Sequence, residues 1–301
     1  MSGAPARRRL GRGGHGPFVA VNLVSGLLIA LFTVVPLLYV GYLSVAELKA
    51  GEAVGTFAGA ANYRLVLEDA STATAFRNTL YFSTLSVLVA TLVGTAIALL
   101  LDSDAPGGRV LLVASVLPWA IPEVVNALMW KWIFDSNWGL LNAVLMVLGV
   151  IHKYRAWFSD GPTAMHSLIL AYSWKLVPFV VIILYTALRS IPAEVLQSAR
   201  IDGAGPLSLL RHVRLPLVMP ALTVAILFCV IFSMRAFDLV YLLTRGGPGE
   251  ATTVLSYYTY AKTFEFGDFG AGAAVSVLLA GATLVLTVAY WRMLRRLEGE
   301  P

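Results

Sequence analysis

Six apolar stretches, each long enough to cross a lipid bilayer, alternate along this chain with short polar connections. From Gly13 to Ala46 there is no Asp, Glu, Lys or Arg. That run is too long for a signal-peptide core, so a retained first span is expected near 17–45. Further spans are predicted at about 78–101, 110–134, 163–188, 217–243 and 270–291. Each supplies roughly the 20 residues that a helix needs to cross the hydrocarbon core. Residues 1–16, with Arg7, Arg8, Arg9 and Arg12 among Gly and Ala, read as a disordered cytoplasmic tail, and 47–72 as an external loop. The expected fold is an all-α membrane protein of six transmembrane helices, with residues 17–301 as one domain.

Leu140 to Ile151 is also apolar but too short to cross. Charge bias decides its place. With six spans and both termini inside, twelve of the 22 Lys and Arg residues fall on the cytoplasmic side, including Arg109, Arg189, Arg200, Arg211, Arg214, Arg292, Arg295 and Arg296. Letting 140–151 span would turn the arginines of 189–214 outward, against the positive-inside rule. The segment is therefore expected to be an interfacial helix on the outer face, between Trp138 and Trp157. Trp119, Trp130, Trp132 and Trp291 join these two in a predicted aromatic belt.

Composition agrees. The chain is 58% hydrophobic and 13% charged, with mean hydropathy +0.78, whereas soluble domains carry roughly a quarter of their residues as charges. The net charge of +5 has no basic cluster interleaved with aromatics, so the lipid bilayer and not nucleic acid is the expected partner. Cys229 is the single cysteine, which excludes an intrachain disulfide and a Cys-based metal site. His15, His152, His166 and His212 lack metal-ligand spacing, and no phosphate-binding loop, dinucleotide fingerprint or nucleophile elbow occurs. No catalytic residue, metal or cofactor is expected on this chain. Its energy must come from a partner or a gradient.

The connection at 190–216 is punctuated more heavily than a plain loop. Pro192 suits a first helical position and Glu194 suits the first turn. Gly203 is placed to end that helix in the left-handed conformation. Gly205-Pro206 starts a second short helix, expected to end at Leu215-Pro216. Within it stand Gln197-Ser198-Ala199, Gly203, Val213 and Leu215-Pro216, at the spacings of the Glu-Ala-Ala signature of permease subunits of binding-protein-dependent ABC importers. The segment resembles that signature, with Gln197 for Glu and Ser198 for Ala. The resemblance implies the type I importer permease fold and a loop that docks into a cleft of the ATPase, through Glu194, Val195, Leu196, Gln197, Ser198, Ala199, Asp202, Gly203 and Ala204.

Phe237-Asp238-Leu239-Val240-Tyr241-Leu242-Leu243-Thr244-Arg245-Gly246-Gly247-Pro248, with Thr252-Thr253 downstream, resembles the sugar-importing branch of the same family. So do Gly139-Leu140-Leu141-Asn142 and the Trp174 and Pro178 pair, and the likeness covers about residues 75–290. Carried over by register from the maltose permeases, it implies a sugar pocket at Tyr172, Lys175, Leu176, Phe179, Cys229, Phe232, Ser233 and Ala236. Four ionisable residues also fall within spans: Glu123, Lys175, Arg235 and Asp238. Each costs about 2.5–3.5 kcal/mol at a helix centre on insertion scales, so each should face protein or water. Two readings stay open: a polar pathway for substrate, or structural pairs, Lys175 with Glu123 and Arg235 with Asp238 on one helical face.

The resemblance implies one of two non-identical permease subunits, an ATPase dimer inside that binds ATP and Mg, and an extracytoplasmic sugar-binding protein. The expected cargo is a di- or oligosaccharide, with trehalose as the specific expectation. Two rivals from other classes are an ion-coupled secondary transporter using Glu123 or Asp238, and a membrane-embedded enzyme built on that carboxylate pair. Uptake without an ATPase would mark the first, and turnover by the purified chain alone the second.

Overall fold

The computed structural model describes residues 15–48, 55–103 and 106–297, so residues 1–14 of the expected tail lie outside the description. Helices α1 (His15–Ile29) and α2 (Val35–Ser44) join through a π turn at Ala30–Val34 to make the first span. A two-stranded ribbon pairs Ala46 with Phe57 and Glu47 with Thr56. There follow α3 (Ala61–Glu68), α4 (Ala70–Asp102), α5 (Gly108–Ala120), α6 (Glu123–Ile133), α7 (Leu140–Val147) and α8 (Gly161–Arg189). The chain closes with α9 (Ala193–Ile201), α10 (Pro206–Leu209), α11 (Leu215–Met234), α12 (Asp238–Leu243), α13 (Leu255–Tyr260) and α14 (Phe269–Leu297). Among the described residues, five helical runs are long and apolar enough to cross a membrane, and the bent pair α5–α6 makes a sixth if it counts as one span.

The centre of the bundle is α4 laid along α8. Ala90, Gly94 and Ala98 recur every fourth residue on α4, and small residues at that spacing let helix backbones approach closely. At Gly94 a Cβ would stand 2.6 Å from Val180 Cβ. Gly94→Val is therefore expected to overpack this contact, costing about 1–3 kcal/mol and lowering the thermal midpoint of the detergent-solubilised protein. Gly41→Val, where nothing lies within 4 Å, serves as the control. Equal midpoints would show that the α4–α8 contact is not tight.

Side-chain ties sort the connections to two ends of the bundle. At one end the start of α4 bonds to the 244–254 loop through Asn78 and Ser71, and the α2–ribbon turn bonds to α3 through Asn62. Gly161, opening α8, lies against Ala251 at that same end. At the other end Asp102 meets Arg214. The α9–α10 elbow and the 244–254 loop thus occupy opposite ends.

Four expected boundaries change. The second span begins at Ala70 and not at 78, because Asp69 caps the helix there by accepting from the Ser71 N–H. The third span is not one helix: it breaks between Ala120 and Glu123 with a bend of 108°. Pro122 causes this, since it has no N–H to donate and forces Ile121 into the extended region, ψ 128°. The helix expected over 217–243 stops at Met234 and restarts as α12, so Arg235 and Asp238 do not share one helical face. Conversely, the helix expected to end at Leu215-Pro216 runs on. The run from Pro206 to Met234 is continuous, with a π turn at Leu210–Arg214 ahead of Pro216.

Candidate functional site

The break in the third span and the break after α11 face each other across α8. Between them lies a cavity of about 450 Å³, lined by Trp119, Ile121, Pro122 and Glu123 from the first break, Tyr172, Lys175, Leu176 and Phe179 from α8, and Phe232, Arg235, Ala236, Phe237, Asp238 and Leu239 from the second. Its size lies within the roughly 300–1,000 Å³ of small-molecule sites. Helix ends meet here because only where a helix is interrupted at membrane depth do backbone polar groups become available to a cavity.

Lys175 is buried, and its ammonium is occupied by the chain itself. Nζ donates to the carbonyl of Ile121, which lies in the bend between α5 and α6 and accepts no backbone N–H among the described residues, and it lies 3.6 Å from Glu123 Oε1. A cation at the C-terminal end of α5 also suits the helix dipole. Of the two open readings, pairing holds for Lys175 with Glu123. It does not hold for Arg235 with Asp238, which form no ion pair and both line the cavity.

The aromatic walls are ordered by mutual packing. Tyr172 packs on Phe82 at 5.1 Å between centroids and donates its hydroxyl to the Phe232 carbonyl at 2.7 Å. Phe179 meets Phe228 and Phe232 edge-on. Trp119 is 58% exposed and Phe232, though packed on Phe179 and Phe228, is 40% exposed, so both keep apolar ring surface open. Flat apolar faces beside unpaired charged groups suit a ligand with an apolar side and a hydroxylated rim.

Of the ten residues expected along the pathway, eight line the cavity: Tyr172, Lys175, Leu176, Phe179, Phe232, Ala236, Glu123 and Asp238. Two do not. Cys229 is fully buried among helices, and Ser233 is buried with its hydroxyl bonded to Ser83 of α4. Both fall on the flank of α11 that packs inward. Trp119, Ile121, Pro122, Arg235, Phe237 and Leu239 complete the lining. Trp119 was expected in the lipid belt, and Trp130 packs inside against Phe134 and Trp174. Proline in mid-span, at Ile121-Pro122, was the available signal for the Trp119–Glu123 wall.

The second candidate element is α9, none of whose residues is buried. Its C-terminus is a Schellman motif: Gly203 N–H donates to Arg200 O at 3.1 Å and Ala204 N–H to Ala199 O at 2.9 Å, with Gly203 at φ +87°. Glu194, Val195, Leu196, Gln197, Ser198 and Ala199 lie on the helix, and Asp202, Gly203 and Ala204 form its cap. The helix projects from the bundle, held at both ends.

At the opposite end, the Thr244–Pro248 turn is closed by Thr252, whose hydroxyl bonds Thr244 Oγ1 at 2.8 Å and Gly247 O at 2.7 Å. Asn142 is buried and bonds Asp135 O, Arg155 N and O, and Trp157 Nε1, so the Gly139–Asn142 motif folds the 135–157 segment. Asp69 accepts from Tyr258 and Lys262, and the Tyr258 bond is the main cause that holds its carboxyl down at about 2.

Residues 90–299 match the family described as binding-protein-dependent transport system inner membrane component. The chain belongs to this family. The permease is 34% identical to the trehalose/maltose transport system permease protein of Thermococcus litoralis, over 79% of each chain. It is 29% identical to the sulfoquinovosyl glycerol transport system permease protein of Agrobacterium fabrum, over 90% of this chain and 88% of that one. Its fold matches, at TM-score 0.81 and 20% identity over 94% of this chain and 95% of the other, a bacterial alginate ABC transporter solved in complex with an alginate pentasaccharide-bound periplasmic protein. The permease is thus a multi-pass transport subunit of the inner membrane and not an enzyme.

Proposed function

We propose that this permease carries an uncharged di- or oligosaccharide, trehalose among the candidates, through the cavity between α5, α8 and α11. The observation that carries this reading is the composition of the cavity wall. Trp119, Phe179 and Phe232 offer apolar faces, and Arg235 and Asp238 offer a donor and an acceptor free for hydroxyls. Two acids and two bases line it, so it favours neither an anion nor a cation. The names of the relatives support a sugar.

The permease works as one of two non-identical membrane subunits, with both termini cytoplasmic. An ATPase dimer that holds ATP and Mg receives α9, through Val195, Leu196 and Ala199, and an extracytoplasmic binding protein delivers the sugar to the end that carries the 244–254 loop. ATP-driven closure of the ATPase dimer moves α9 and turns the cavity from one side of the membrane to the other, with no covalent step on this chain.

Reconstitution of the four-component complex in liposomes is the test. ATP-dependent uptake of labelled trehalose or maltose is expected, with sulfoquinovosyl glycerol taken up poorly because its sulfonate meets no net positive wall. Asp238→Asn and Trp119→Ala are each expected to cut uptake about tenfold, as loss of one bond or stacking face worth ~1.4 kcal/mol would. Uptake that follows a proton gradient without ATP would replace this reading with a secondary transporter.

A further inference from the structure

Arg214 and Asp102 form an ion pair at the end of the bundle that holds α9, Nη2 to Oδ2 3.3 Å, with side chains only 19% and 10% exposed. Asp102 is the last residue of α4. Arg214 is the last residue of the π turn that precedes α11. A π turn inserts a residue and so shifts which face of the helix its side chains occupy, and such turns concentrate at functional positions. Arg214 Nε is also out of solvent and has no acceptor among the described residues, so Asp102 is its main compensation.

The path from α9 into the bundle explains what this pair is for. No residue of α9 is buried, so a push on it enters the bundle through its two flanks, the end of α8 and the α10–α11 run. The α11 surface is mostly open, with buried residues confined to Val218, Ala225, Cys229, Ser233 and Met234. Val218 packs the near end of α11 into the core, and a charged tie to a central helix adds a second, directional link for a force arriving by α10. Asp102 fastens that end to α4. That helix in turn holds Phe82 against Tyr172, and its Ser83 bonds Ser233 on the packed flank of α11, so α4 backs both helices whose other sides wall the cavity.

We infer that the Asp102–Arg214 pair is a positioning strut, making α4 and α11 move as one body when α9 is displaced. This inference rests on the coupling role proposed for α9. The strut predicts a particular failure: the binding protein still stimulates the ATPase, but less sugar crosses per ATP.

The test uses the complete complex in liposomes, with uptake and binding-protein-stimulated ATP hydrolysis measured together. Asp102→Asn and Arg214→Gln are expected to lower sugar moved per ATP about tenfold, within the 5–150-fold range of typical site-to-site coupling. Arg214→Lys, which keeps the charge, should fall less. The exchanged double variant Asp102→Arg with Arg214→Asp should recover most of the ratio. A normal ratio in both single variants overturns the strut. So does loss of assembly in all four variants, which would make the pair a folding contact. A fall in uptake and ATP hydrolysis by the same factor also overturns it, since coupling is then intact. Failure of the wild-type complex to import any sugar would instead overturn the proposed function, and with it the strut that rests on it.

Discussion

Gly203→Val abolishes uptake while the permease still inserts and assembles. Gly203 stands at φ +87°, and nothing lies within 4 Å of where its Cβ would be. The penalty is therefore conformational and not steric. A side chain in the left-handed region costs roughly 1–2 kcal/mol, and a β-branched one more. The chain relieves it by abandoning the Schellman turn, which frees the carbonyls of Ala199 and Arg200 and swings α9 on its stem. Because α9 has no buried residue, the packing of the bundle stays intact. Uptake and sugar-stimulated ATP hydrolysis should both vanish, and Gly203→Ala should lose less. Gly205 lies at φ −70°, so Gly205→Ala should be close to neutral. Normal uptake by Gly203→Val would remove α9 from the path between the subunits. This pattern differs from that of the strut variants, in which ATP hydrolysis persists.

Lys175→Ala unfolds the region around the cavity before it affects sugar binding. The ammonium is shared between the Ile121 carbonyl and Glu123, at the point where Pro122 has broken the third span. Removing it leaves the partly buried Ile121 carbonyl without this donor and Glu123 without its cation. A fully buried pair would lose about 3–5 kcal/mol. Glu123 is half exposed, which discounts the ionic part and leaves about 2–3 kcal/mol with the orphaned carbonyl. A lower thermal midpoint and poor recovery of assembled complex are the expected results. Glu123→Gln should be milder, since it leaves the Lys175–Ile121 bond in place. A Lys175→Ala variant that assembles with an unchanged midpoint and fails only in uptake would return Lys175 to direct contact with the sugar.

Much of the molecule is legible in its residues. The charge-free runs place the spans because an unpaired charge facing hydrocarbon is costly whatever the local sequence is. The left-handed cap at Gly203 is readable for a similar reason, since it depends on one residue's own φ and ψ preferences. The Gly139–Asn142 and Thr244–Pro248 motifs also mark local turns, closed by side chains within about a dozen residues.

What the tertiary structure decided concerns partners distant in sequence. Pro122 announces a break in the third span, but not that Lys175, on a different helix, bonds the Ile121 carbonyl exposed there. Arg235 and Asp238 are three apart and read as one helical face, yet the helix stops between them. The cavity follows from that interruption, because it turns Arg235 and Asp238 toward α8 and leaves Cys229 and Ser233 in the packed flank. Asp102 and Arg214 are separated by more than a hundred residues, and no local pattern pairs them. Local preferences act through a residue's own backbone and its transfer from water to lipid. The direction of a buried side chain depends on where another helix ends, which only the assembled bundle determines.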